Sequence, residues 1–188
     1  MTSTRVPTIT GWATLAVVVV AGGLWAWKPW SGSQPWVPTC SDLAKVMPAA
    51  AGGAWSVSEA DPARAANQSS TRCELAFSSA DQRVAGTLRV FISGESDTDL
   101  LRRRAADEPC DGTAEPPAAP DGYLAFRACS AVVGDFAHAT VIAARNERWL
   151  RMTVSASIRD DNKNDILPFA RDVVRKAAGQ GLSLRESA

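Results

Sequence analysis

His138 is the chain's only imidazole, and that limits what its side chains can catalyse. A Ser-His-Asp or Cys-His nucleophile system would have to use it as the base, and Gly134-Asp135-Phe136-Ala137-His138 resembles no nucleophile elbow or base-bearing loop. A turn or strand-edge histidine is the expectation. A lone imidazole also excludes a multi-histidine metal centre. The run Asp160-Asp161-Asn162-Lys163-Asn164-Asp165 is rich in oxygen donors, but counted from Asp160 it has Asp165 where a calcium loop needs glycine and Arg171 where it needs glutamate. Those residues read instead as favouring the positive end of the last helix and its cap. Carboxylates such as Asp135 or Glu147 are what remain for acid–base chemistry. No catalytic residue, metal ligand or cofactor is assigned.

Cys40, Cys73, Cys110 and Cys129 form an even set with no C-x-x-C spacing, which excludes a zinc knuckle and a thioredoxin-type pair. Three pairings are possible. Sequential pairing needs the shortest loops, and the chain-entropy estimate for the Cys110 to Cys129 span is about 3 kcal/mol. Arg102-Arg103-Arg104 is the one dense basic cluster. On a helix it fans in three directions among Asp97, Asp99, Asp107 and Glu108, so a solvated face with local ion pairs is expected. With 20 basic against 20 acidic side chains there is no surplus to neutralise phosphates, which argues against nucleic acid.

These residues must be positioned by a small set of elements. Thr39 to Asp42 matches a capping box opening a helix of about two turns that Pro48 should end. Cys73, Leu75 and Phe77 alternate as a half-buried strand, and Val84 to Ile92 repeats the pattern with Leu88, Val90 and Ile92 on one face. Ser96 to Asp99 caps a helix carrying Leu100, Leu101 and Ala105. A Pro-rich surface loop runs from Asp107 to Asp121. Tyr123 to Cys129 reads as a strand, and Thr140–Ala144 with Trp149–Ser155 as a hairpin. A last amphipathic helix places Ile166, Ala170, Val173 and Ala177 on one face, has Pro168 in its first turn, and should stop at Gly179 and Gly181. The fold class is α+β: an antiparallel sheet with helices packed on one face.

The amino-terminal segment sets the expected compartment. Val6 to Trp27 is 22 residues without an ionisable side chain, about 33 Å as a helix and enough for a hydrocarbon core of about 30 Å. Trp12 on one side and Trp25, Trp27 and Trp30 on the other fit interfacial belts. Bulky indoles after Gly22-Gly23 disfavour signal-peptide cleavage. The expected organisation is a cytoplasmic tail over 1–11, a transmembrane anchor over 12–30, a Pro/Gly/Ser tether over 31–38, an exported disulfide-braced α+β domain over 39–182, and a tail over 183–188. Arg outnumbers Lys 16 to 4, which suggests a GC-rich bacterial genome.

Cys40-Ser41-Asp42-Leu43 opening a short helix, Cys73-Glu74-Leu75 on a strand, a hairpin over Ala137 to Ser155 and a closing helix over Asp165 to Ala178 together resemble actinobacterial cell-envelope proteins of unknown function, many of them lipoproteins. The resemblance covers about residues 39 to 180. Leu75 stands where that family often has tryptophan, and Cys40 follows no lipobox, so lipid anchoring is not carried over. The resemblance implies a Cys40–Cys73 disulfide and an extracytoplasmic sheet backed by helices, and it supplies no catalytic residues. The expected function is non-catalytic binding of an envelope protein, wall polymer or lipid-like ligand by a single-pass membrane protein. The alternatives are an envelope hydrolase using carboxylates, or an assembly partner acting through its transmembrane helix.

Overall fold

Period-two burial shapes the sheet. In Ser70–Ser78 the side chains of Cys73, Leu75 and Phe77 are buried while Arg72 is exposed, so one face of the strand seeks a core and the other meets water. The structure, a computed structural model, describes residues 35–60, 69–116 and 119–185. The expected anchor over 12–30 and the tail over 1–11 lie outside the described residues. No described helix is long and apolar enough to cross a membrane.

In chain order the elements are α1 (Cys40–Ala51), β1 (Ala54–Ala60), β2 (Ser70–Ser78), β3 (Ala85–Gly94), α2 (Thr98–Asp107), β4 (Thr113–Ala114), β5 (Ala125–Val133), β6 (Phe136–Arg145), β7 (Arg148–Ser157) and α3 (Ile166–Ser183). The strands form one seven-stranded antiparallel sheet in the order β1-β2-β3-β7-β6-β5-β4. The register runs Leu75, Leu88, Val154, Ala139 straight across four strands, and all four are buried. Against that face lie Leu43 and Met47 of α1 and Ile166, Ala170, Val173 and Ala177 of α3. At about 25 cal/mol per Å² this apolar layer is the main source of stability.

The expected α+β antiparallel sheet is present, with one correction to the layering. Helices do not all pack on one face. Leu101 and Ala105 of α2 cluster with Ile142, Ala144 and Trp149, whose neighbours Val141, Ala143 and Leu150 point to the α1/α3 core. Successive strand side chains point to opposite faces, so α2 covers a corner of the other side. Cys110 and Cys129 are bridged, with Cα atoms 5.9 Å apart, which fastens the segment after α2 to β5. The Cys40 Sγ lies 3.5 Å from the Arg72 carbonyl oxygen.

Two helix ends differ from expectation. α1 continues through Pro48 to Ala51, where the Gly52 N–H donates to the Pro48 carbonyl oxygen at 2.8 Å, so the fully buried Met47 outweighs the donor that proline lacks. α3 continues through Gly179 and Gly181 to Ser183. Gly181 serves packing: a Cβ there would come within 2.8 Å of Met152 Cε. Pro168 does sit in the first turn of α3, as expected.

Candidate functional site

The sheet face opposite α1 and α3 is only partly covered by α2, and the remainder forms an open groove of about 520 Å³. Its floor follows from strand register. One transverse row is Arg72 on β2, Phe91 on β3 and Arg151 on β7. The next is Glu59, Glu74, Arg89, Thr153 and Thr140, running from β1 to β6. A third is Thr87, Ser155 and His138. A bulge at Ser58 moves Glu59, rather than Ser58, into the slot opposite Glu74.

Most of the charges in the groove are paired. The Arg89 Nε donates to Glu74 Oε2 at 2.7 Å, and this bond, together with the carboxylate charge, raises the guanidinium pKa further. Arg151 donates to Glu108 Oε1 at 2.9 Å and to Asp111 Oδ2 at 3.3 Å. Arg72 lies over the Phe91 ring, 5.6 Å from its centroid, with no carboxylate partner among the described residues. His138 Nδ1 is 2.9 Å from Ser155 Oγ, and Thr140 Oγ1 is 3.0 Å from Thr153 Oγ1. The surface is therefore polar and of mixed charge, and its hydroxyl and guanidinium groups can hydrogen-bond an extended polar ligand.

His138 pairs with a serine across two strands, yet no third group orients the ring among the described residues, and Ser155 lies within a paired strand rather than on an elbow. That agrees with a strand histidine rather than a nucleophile system. Asp135 and Glu147 are not brought together. They sit in the turns at opposite ends of the ten-residue β6, about 30 Å apart. Glu147 has φ 58° beside Asn146 at 51°, so both residues serve a tight hairpin turn.

In the acid-amide run, Asn162 is buried and works as a staple. Its Oδ1 accepts from the Arg159 N–H at 2.8 Å, and its Nδ2 donates to the Ser157 carbonyl oxygen at 3.2 Å. Asp165 is the N-cap of α3 by position, without a side-chain cap bond. Arg102, Arg103 and Arg104 are all exposed, with Arg102 donating to Asp99 Oδ1 at 2.8 Å. Among the described residues no group of three or more His, Cys, Asp or Glu is placed to hold a metal ion.

Arg72 and Glu59 carry no signal in the sequence, and Glu74 stands out there only as the middle residue of Cys73-Glu74-Leu75. Arg89, Arg151 and Thr153 were visible as the outward positions of alternating strands, but only the non-consecutive neighbour pair β3-β7 brings them onto one floor. No protein-family model, curated protein or solved structure matches the chain.

Proposed function

We propose that this chain is a single-pass, membrane-anchored protein of the bacterial cell envelope, kin to the actinobacterial envelope family that it resembles. In this reading its extracytoplasmic domain binds a wall polymer or another envelope partner through the open sheet face, without catalysis. The observation that carries the binding reading is the groove itself, a polar face that α2 covers only at one corner, with Arg72 lacking a carboxylate partner among the described residues. Support for export comes from the Cys110–Cys129 bridge, since such bonds persist in oxidising compartments, and from the uncharged run Val6 to Trp27. A second bridge, Cys40 to Cys73, belongs to the same proposal. The Cys40 Sγ already rests on the carbonyl of Arg72, next in the chain to Cys73.

A hydrolase is the second reading, and its candidate carboxylates change. Glu59 and Glu74 face one another across β1 and β2 and both line the groove. Facing side chains on paired strands have Cβ atoms about 5 Å apart, which puts both carboxylates within reach of one ligand bound in the groove. Against catalysis, Glu74 is tied to Arg89 and Glu59 is exposed.

One experiment separates the two. Soluble wall fragments are titrated calorimetrically into the full chain in detergent, and the fragments are recovered and sized. Binding of intact fragments, weakened at least about tenfold in Arg72→Glu, supports the binding module. Cleaved fragments, with cleavage lost in Glu59→Gln, establish the hydrolase. Absence of heat and of cleavage rejects the wall polymer as ligand.

A further inference from the structure

The two edges of the sheet are treated differently. At one edge the middle of β5 is covered: β4 pairs with Cys129 and Ser130, the Cys110–Cys129 bridge fastens the segment there, and at Gly112 a Cβ would come within 2.4 Å of the Ser130 carbonyl oxygen. At the other edge β1 pairs with β2 alone among the described residues, which leaves the outward-facing N–H and C=O groups of a seven-residue strand without a strand partner. The devices that usually discourage edge pairing are sparse there. Ala54-Trp55-Ser56-Val57-Ser58-Glu59-Ala60 contains no Lys, Arg or Pro, and one bulge at Ser58. Before that bulge, Ala54 to Val57 is regular, in unbroken register with Ser78 to Leu75.

We infer that β1 is a homodimer edge on which the β1 strand of a second copy of this chain pairs antiparallel about a twofold axis through Ser56. The occupant follows from three observations. Unpaired backbone in an extended strand is satisfied by another extended strand. A twofold interface requires a surface complementary to itself, and the register centred on Ser56 meets this: Ser56 faces Ser56, and Val57 of each copy faces Trp55 of the other. Trp55 and Val57 belong to the same sheet face, since their β2 partners are Phe77 and Leu75, and an aromatic facing a β-branched side chain is a favourable cross-strand pair. Val57 is 40% exposed, one of few large apolar side chains left in solvent, and the pairing covers it on a platform already built by Trp55 stacked on Phe77 at 4.8 Å. Glu59 falls outside the three central pairs, so no like charges meet.

Because the contact is isologous and uses the β1 edge of both copies, association through this edge stops at two copies. The regular stretch is short, so the contact is smaller than a standard interface and the dimer is weak and concentration-dependent, favoured where copies share a membrane surface. The inference does not depend on what the groove binds.

The test is disulfide trapping of the full-length chain in mild detergent. Ser56→Cys places two thiols at the axis, whereas Val132→Cys, at a position 56% exposed at the far end of β5, serves as the control, and the unsubstituted chain gives the background from the native cysteines. Ser56→Cys should give about tenfold more covalent dimer than Val132→Cys. Adding Val57→Lys to Ser56→Cys should abolish trapping with an unchanged far-ultraviolet circular dichroism spectrum, because two lysines then face the paired edge. Equal trapping at both positions, or trapping that survives Val57→Lys, would overturn the inference, and a circular dichroism change would move the second arm to Val57→Glu with the same criterion.

Discussion

Arg148 and Leu184 meet where α3 ends: the guanidinium Nη2 donates to the Leu184 carbonyl oxygen at 2.7 Å and to that of Leu182 at 3.0 Å. Only 6% of Arg148 is exposed, and its Cζ lies 5.7 Å from the Trp36 ring centroid, so one cation ties the entering chain, the start of β7 and the last carbonyls of α3 together. Burial lowers its pKa. Arg148→Met should cost about 3 kcal/mol in urea unfolding, because two charge-assisted bonds disappear and leave buried carbonyls unmet. A cost below about 1 kcal/mol would show the site to be better solvated than its burial implies.

The Cys110–Cys129 bridge closes a loop with a sequence separation of 19. Cys129→Ala should lower stability by about 3 kcal/mol relative to the oxidised unsubstituted chain. Reduction without loss of stability would mean that the bridge is absent from the native protein.

Acid should weaken the start of α1. Thr39 and Asp42 form a capping box: the Asp42 N–H donates to Thr39 Oγ1 at 3.2 Å and the Thr39 N–H to Asp42 Oδ2 at 3.0 Å. The Thr39 hydroxyl bond, foremost, holds the Asp42 carboxyl below its ordinary 3.8, with the Thr39 N–H and Lys45 adding to it. A carboxyl depressed in the folded state stabilises fully above the unfolded value and loses that contribution as pH falls through the folded one. Asp42→Asn should therefore flatten the stability profile below about pH 4, and Thr39→Ala should cost about 1 kcal/mol at neutral pH. An acid limb unchanged in Asp42→Asn would contradict this assignment.

Leu101 is fully buried beneath α2 in the small cluster with Ile142, Ala144 and Trp149. Leu101→Ala should cost about 3 kcal/mol and raise hydrogen exchange in α2 before the rest of the sheet, since that cluster is separate from the main core. Uniform exchange across the domain would argue against an independently opening α2.

Much of the fold was legible in local pattern. The alternation of Cys73, Leu75 and Phe77, the Asp97 cap of α2 and the Asn146-Glu147 hairpin turn all have causes within a few residues. β1 escaped notice because six of its seven side chains are exposed and no alternation marks it. The side of the sheet that α2 takes was also hidden, because it depends on β6 presenting Val141 and Ala143 to one layer and Ile142 and Ala144 to the other. The groove needed the strand order as well. Arg72, Arg89 and Arg151 are ordinary outward residues in sequence, and become one floor only because β7 returns beside β3.

The placement of the domain outside a membrane is the claim on which the functional reading rests, and sidedness in intact cells tests it most directly. Cells producing the full chain with epitopes at both termini are stripped of wall and treated with external protease, while the thiols are trapped by alkylation before lysis. Loss of the carboxyl-terminal epitope with retention of the amino-terminal one, and a Cys110–Cys129 peptide recovered oxidised, is the expected result. A carboxyl-terminal epitope protected until lysis, with Cys110 and Cys129 alkylated as free thiols, would contradict it.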